Sequence, residues 1–126
     1  MLWPGRSTWL YHAESAQEDF LVLRGEALLL VEDEERTLRA WDFVHCPPET
    51  AHAFVALGSA PCVILMVGAR LPHHTYRYPR TAPAVRLGVA ARVETTSPAE
   101  AQAGLMEWTP GTAGAAGDLP WSTSGE

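Results

Sequence analysis

Lysine and asparagine are both absent from this chain of 126 residues. Its nine basic residues are therefore all arginine, set against fifteen Asp and Glu, and the net charge is −6. A chain this acidic has no electrostatic footprint for nucleic acid or for an anionic membrane surface. Cysteine is scarce: Cys46 and Cys62 lie inside apolar runs at no metal-binding or redox spacing, so two reduced, buried thiols are expected. No apolar run approaches the ~20 residues of a bilayer-spanning helix; the longest surrounds Cys62–Val67. The first residues show neither the basic nor the apolar region of a secretory signal. These absences lead to the expectation of a cytoplasmic protein. The missing lysine, with abundant alanine, fits a GC-rich bacterial genome. A hydrophobic fraction of 47% is that of a globular chain, and the length suits one domain.

Short apolar runs separated by turn signals fill the first seventy residues. Strands are expected over 7–11, 19–24, 26–32, 36–40, 43–46, 51–57 and 60–69. Turns fall at Pro4-Gly5, Gly25, the charged stretch 32–36, Trp41-Asp42, Pro47-Pro48-Glu49-Thr50 and Gly58-Ser59. Even spacing of this kind argues for an all-β sandwich or barrel. Several strands are apolar on both parities, among them 20–23, 28–31 and 63–67. One parity fills the interior and the other also needs cover, which a symmetric homodimer would give.

Charges interrupt this pattern in one region. His12 and Glu14 are two residues apart and share a face on a strand. Glu18 follows after a polar break, on the same parity as Phe20 and Val22. Charged groups on a buried face need a partner, and a metal ion is the simplest one. His52, after the double proline, supplies a fourth ligand. Imidazole and carboxylate without thiolate suit Fe, Mn, Ni or Zn. Without Glu14, the set is two histidines and one carboxylate with open positions. The bland alternative makes Glu14 a solvated turn residue and His52 a core histidine. His45 shares a face with Phe43, opposite Val44 and Cys46. It either lines the pocket as a general acid or base or packs against backbone. Trp9, Trp41 and Phe54 either wall a cavity or serve as core, with Trp41 placed to close one end of the barrel.

The spacing His12-x-Glu14, Glu18, Gly25, then Trp41-Asp42, Pro47, Glu49 and His52, resembles the two motifs of the cupin family over residues 4–70. Glu14 stands at the second motif histidine, and Trp41 and Glu49 at two motif glycines. The segments YHAESAQEDFLVL and WDFVHCPP are similar to those of a subgroup of small bacterial cupins. The resemblance implies a jelly-roll barrel of the conserved "cupin 2" type. It also implies one divalent metal on His12, Glu14, Glu18 and His52, a small oxygenated ligand or substrate, and often a dimer. Isomerase and dioxygenase chemistry are both compatible with it. So are a non-catalytic binding or sensing module and a truncated, inactive barrel. Cupins usually carry strands before the first motif, so a missing early strand would leave a sheet edge exposed.

Residues 71–126 read as an extension of the 1–70 barrel. His73-His74 is expected at the surface. Thr81 caps a short helix near 82–87 that stops at Gly88. Ser97-Pro98-Ala99-Glu100 forms a capping box for a helix near 98–104. Residues 109–126, rich in Gly, Ala, Pro and Ser, read as a flexible tail with Trp121 as its one apolar anchor.

Overall fold

The computed structural model describes residues 1–105; the tail expected over 109–126, with Trp121, lies outside them. Eight antiparallel strands are formed: β1 (Ala13–Glu14), β2 (Glu18–Arg24), β3 (Glu26–Val31), β4 (Glu34–Arg39), β5 (Phe43–Cys46), β6 (His52–Ala56), β7 (Val63–Gly68) and β8 (Tyr76–Arg77). Two short helices follow, α1 (Ala82–Arg86) and α2 (Pro98–Ala101). One sheet has the order β5-β2-β7, a second β4-β3-β6, and β1 pairs with β8. The architecture is an all-β jelly roll in which the two three-stranded sheets enclose the core.

Period-two alternation does most of the sorting. Phe20 and Val22 of β2, Leu29 of β3, Phe54 of β6 and Ile64 of β7 point inward and form one buried cluster. Cys46 and Cys62 belong to it as free thiols. The opposite parity of β3 and β6 is buried too, beneath the extension. Leu30 and Ala53 pack with Tyr11, Ala84 of α1 and Val89. The extension therefore covers the outer face of β3, one of the strands apolar on both parities. The outer face of the other sheet keeps its apolar side chains in solvent. Phe43, Leu21 and Leu65 lie in one cross-strand row there, with Phe43 64% and Leu65 48% exposed.

Several expectations shift in detail. Residues 7–11 form no strand. Pro4 and Gly5 turn the chain, and residues 2–12 run beside the barrel through isolated bridges Leu2–Cys62, Ser7–Val55 and His12–His52. This irregular lead-in covers the β6 edge that a missing strand would have left open. The charged hairpin is tighter than 32–36. Only Glu32 and Asp33 form the turn, both at positive φ (45° and 67°), as a two-residue hairpin turn requires. Glu34 and Arg36 are already in β4, where they pair at 2.7 Å. Both helix caps form as expected, with Thr81 accepting from Ala84 N and Ser97 from Glu100 N. The second helix ends at Ala101, short of 104, and its capping box is half formed: Ser97 N donates to the Thr95 hydroxyl, which in turn bonds Glu100.

The motif glycines at 41 and 49 have been replaced, but their backbone conformation has not. Trp41 has φ 76° and Glu49 φ 66°, the left-handed region that favours glycine. Trp41 is 75% exposed and closes no end of the barrel. Gly25 keeps its glycine for two reasons. Its φ is 80°, and a Cβ there would lie 2.8 Å from the Pro61 carbonyl oxygen.

Candidate metal centre

Three strand junctions bring the ligands together. His12 leads into β1, Glu18 opens β2 and His52 opens β6. The backbones of His12 and His52 bond each other in both directions, at 3.2 and 2.9 Å, so the two rings are presented side by side, 5.2 Å apart. Each ring is oriented from behind. His12 Nδ1 donates to the Leu10 carbonyl at 2.7 Å, and His52 Nδ1 to the Thr50 carbonyl at 2.9 Å. With the proton fixed on Nδ1, the Nε2 lone pair of each ring faces the interior, the arrangement that metal-ligating histidines show.

Glu18 completes the set. Among the described residues, His12, Glu18 and His52 have ligand atoms that all lie within 4.8 Å of one another. Glu18 Oε2 is buried without a hydrogen-bond partner, 3.0 Å from His52 Nε2. A neutral His52 of this tautomer has no proton there to give, so two acceptors face each other. That pairing requires a cation between them, either a proton on the imidazole or a metal ion. In the metal-free protein the proton takes this place. Burial opposes the charged form of His52, but the Cys46 sulfur, the Glu18 carboxylate and the Thr50 carbonyl outweigh it and push the pKa up to about 10. Burial alone would also raise the Glu18 pKa, yet its bond to His52 and the charge on that ring hold the carboxyl below its usual range. The donor set and its geometry fit a divalent ion held by two nitrogens and one oxygen.

The other sequence candidates fall at different places. Glu14 stands beside this triad, and its carboxylate lies between two histidines. Oε1 is 3.1 Å from His12 Nε2, and Oε2 meets His74 Nε2. His74, expected at the surface, is therefore half-buried. Its ring stacks on Tyr76 at 4.9 Å with parallel planes, and its Nε2 is buried. β8, paired with β1, carries this segment to the site. His45 lies outside the cavity: it is exposed on the outer face of β5, and its Nδ1 sits 2.6 Å from Asp19 Oδ1. Cys46, on the opposite parity, takes the inward place and meets His52.

The ligands sit in a cavity of about 590 Å³. Phe20, Phe54, Ile64 and Met66 form its barrel walls. Trp9 contributes from the lead-in, and Tyr76, Tyr78, Pro98 and Gln102 contribute from the extension. Tyr78 is fully buried, stacks on His12 at 5.7 Å, and bonds the side chains of Trp9 and Gln102. Trp9 and Phe54 thus line the cavity; Trp41 does not.

This architecture recurs among solved structures. A sugar phosphate isomerase of the cupin superfamily from Silicibacter pomeroyi is 30% identical, with a TM-score of 0.59 over 64% of this chain and 53% of that one. A protein from Acidithiobacillus ferrooxidans, proposed to be a sugar phosphate isomerase, is 29% identical, with a TM-score of 0.57 over 59% of this chain and 49% of that one. The chain spans about half the length of each. A cupin 2 domain-containing protein from Halorhodospira halophila shares the fold at 21% identity, with a TM-score of 0.52 over 75% of this chain and 66% of that one. No curated protein sequence matches the chain. The model of the Cupin domain family matches residues 1–68, more than half of the chain, and the chain belongs to that family.

Proposed function

We propose that this cupin holds one divalent ion on His12, Glu18 and His52 and catalyses proton transfer next to a carbonyl of a small oxygenated molecule. The observation that carries the reading is the pair of imidazoles fixed through Nδ1, with both Nε2 atoms turned toward a buried carboxylate. When bound, a divalent ion supplies the Lewis acidity that stabilises negative charge on a substrate oxygen. Glu14 is the group that takes the proton from the neighbouring carbon. It lines the same cavity, and His74 Nε2 meets its Oε2. A braced carboxylate beside the ligands favours catalysis over simple ligand storage. Isomerisation, the activity named for two of the similar structures, is chemistry of this kind. The test is elemental analysis of protein purified without chelator or affinity metal. Near-stoichiometric Fe, Mn, Ni or Zn supports the reading; no metal after anaerobic reconstitution refutes it.

Metal binding has to displace the proton on His52. Because the His52 pKa is raised from 6.5 to about 10, its contribution to the stability of the metal-free fold is complete below pH 6.5 and is lost as pH rises toward 10. Metal affinity runs the other way. Between about pH 7 and 8.5, where Glu18 is ionised, one proton leaves per ion bound, and the apparent affinity should tighten about tenfold per pH unit. Titration of Mn(II) at three pH values checks this, and a flat profile would remove His52 from the ligand set.

We also propose that the chain forms a homodimer through the outer face of the β5-β2-β7 sheet. Leu21, Phe43, Leu65 and Val67 form an apolar patch there that no described segment of the chain covers. Light scattering should report twice the 13.7 kDa chain mass. Phe43→Glu should return it to the monomer mass with the fold intact.

A further inference from the structure

We infer that the cavity selects an uncharged molecule with a flat apolar body and an oxygen-bearing head, and that it rejects phosphate esters. The inference rests on the cavity being the binding site proposed above and adds the class of molecule it takes. Its basis is where positive charge is placed. The chain has no lysine, and none of its nine arginines lines the cavity. All nine lie among the described residues, and residues 106–126 contain no Arg, Lys or His. Arg77, next to Tyr76 on β8, bonds the Glu49 carbonyl and lines a second cavity that shares Tyr76 and Pro98 with this one. Glu14 and Glu18 do face inward, and they are matched there by the bound ion or, without it, by the proton on His52; Met1 also belongs to the lining.

A phosphate group is held by arginine, by lysine or by a row of free backbone N–H groups, and it needs them most where water is excluded. In this cavity the two charges of the ion are already matched by Glu14 and Glu18, and no arginine is left to neutralise a phosphate. The cavity offers apolar walls instead, from Trp9, Phe20, Phe54, Ile64 and Met66, backed by the continuous stack of His12, Tyr78, Tyr76 and His74. Its polar handles away from the ligands are neutral, chiefly the Thr8 hydroxyl and the Gln102 amide. A planar body against these walls, with its oxygens toward His12, Glu18 and His52, satisfies both ends. The similar structures named for sugar phosphates therefore share the barrel without fixing the charge of what this chain binds.

A matched pair of probes tests the inference on the full-length protein, Mn(II)-loaded and metal-free. 2-Naphthyl β-D-glucoside and 2-naphthyl phosphate carry the same flat body and differ in the charge of the head. In calorimetric titration the glucoside should bind at least about 30-fold more tightly than the phosphate in both forms. Gln102→Arg, which places a guanidinium on the wall, should tighten phosphate binding at least about tenfold. Equal or tighter binding of the phosphate by the unsubstituted protein overturns the inference, as does binding of neither probe by metal-loaded protein. A Gln102→Arg protein with unchanged phosphate affinity overturns charge as the cause. A protein that takes up no metal yet prefers the glucoside would refute the metal reading and leave this inference standing.

Discussion

His52→Ala is expected to lower Mn(II) or Zn(II) affinity by more than about 100-fold, the upper range for losing even an outer partner of a metal ligand. The ring supplies one of three converging donor atoms and is buried, so neither water nor a neighbour can take its place with the same aim. The substitution also removes the charge that faces the buried Glu18 Oε2 at 3.0 Å. The variant should therefore be less stable without metal as well, by the full amount below about pH 6.5 and by less as pH rises toward 10, where His52 loses its proton in the metal-free fold. Metal per chain after dialysis is the readout, with circular dichroism to show that the barrel persists. His52→Gln, which keeps much of the volume but not the imidazole, should lose metal with a smaller loss of stability. Unchanged metal content in both variants would sink the three-residue site.

Tyr78→Ala carries the largest expected effect on the fold itself. Tyr78 is 1% exposed, stacks on His12 and joins the extension to the barrel with Leu10, Ala91 and Ala101. Removing a buried ring of this size costs about 3–4 kcal/mol, a large share of the ~5–15 kcal/mol that holds a small domain together. Tyr78→Phe removes only the hydroxyl that bonds Trp9 and Gln102 and should cost about 1 kcal/mol. Denaturant unfolding of the two variants measures the difference. A loss below about 1 kcal/mol for Tyr78→Ala would mean that the extension only leans on the barrel and is not part of its core.

Most of the strands, and the nearness of His12, Glu18 and His52, were legible in the sequence because both follow from local rules; the strand expected over 7–11 was not formed, and Glu14, read as a fourth ligand, stands beside the three. Parity put Glu18 with Phe20 and Val22, and spacing placed His12 and His52. The direction of His45 was not legible. Parity separates it from Cys46 but does not say which of the two faces inward. Strand register settles the matter: Cys46 pairs directly with inward-facing Glu18, so His45 is carried outside with Asp19. His74 was hidden for a different reason. It reaches Glu14 across sixty residues through the β1–β8 pairing, a contact with no local signature. Trp41 and Glu49 looked like lost motif positions, yet both hold the left-handed backbone that the glycines would have held. The turn survives the change of side chain at some cost in strain.

The origin of the cavity walls has a consequence for how far a relative's specificity can be carried over. The metal-facing end is drawn wholly from residues 1–68, the part matched by the family. Tyr76, Tyr78, Pro98 and Gln102 come from beyond it. The proposed ligand set thus comes from one stretch of the chain, while the cavity wall is shared between that stretch and the one that follows. Related barrels could diverge in what they accept by exchanging the later stretch while leaving the reactive centre untouched. A chimera that joins this chain's first 68 residues to another relative's continuation would be expected to keep the metal of the first parent and take on the appetite of the second.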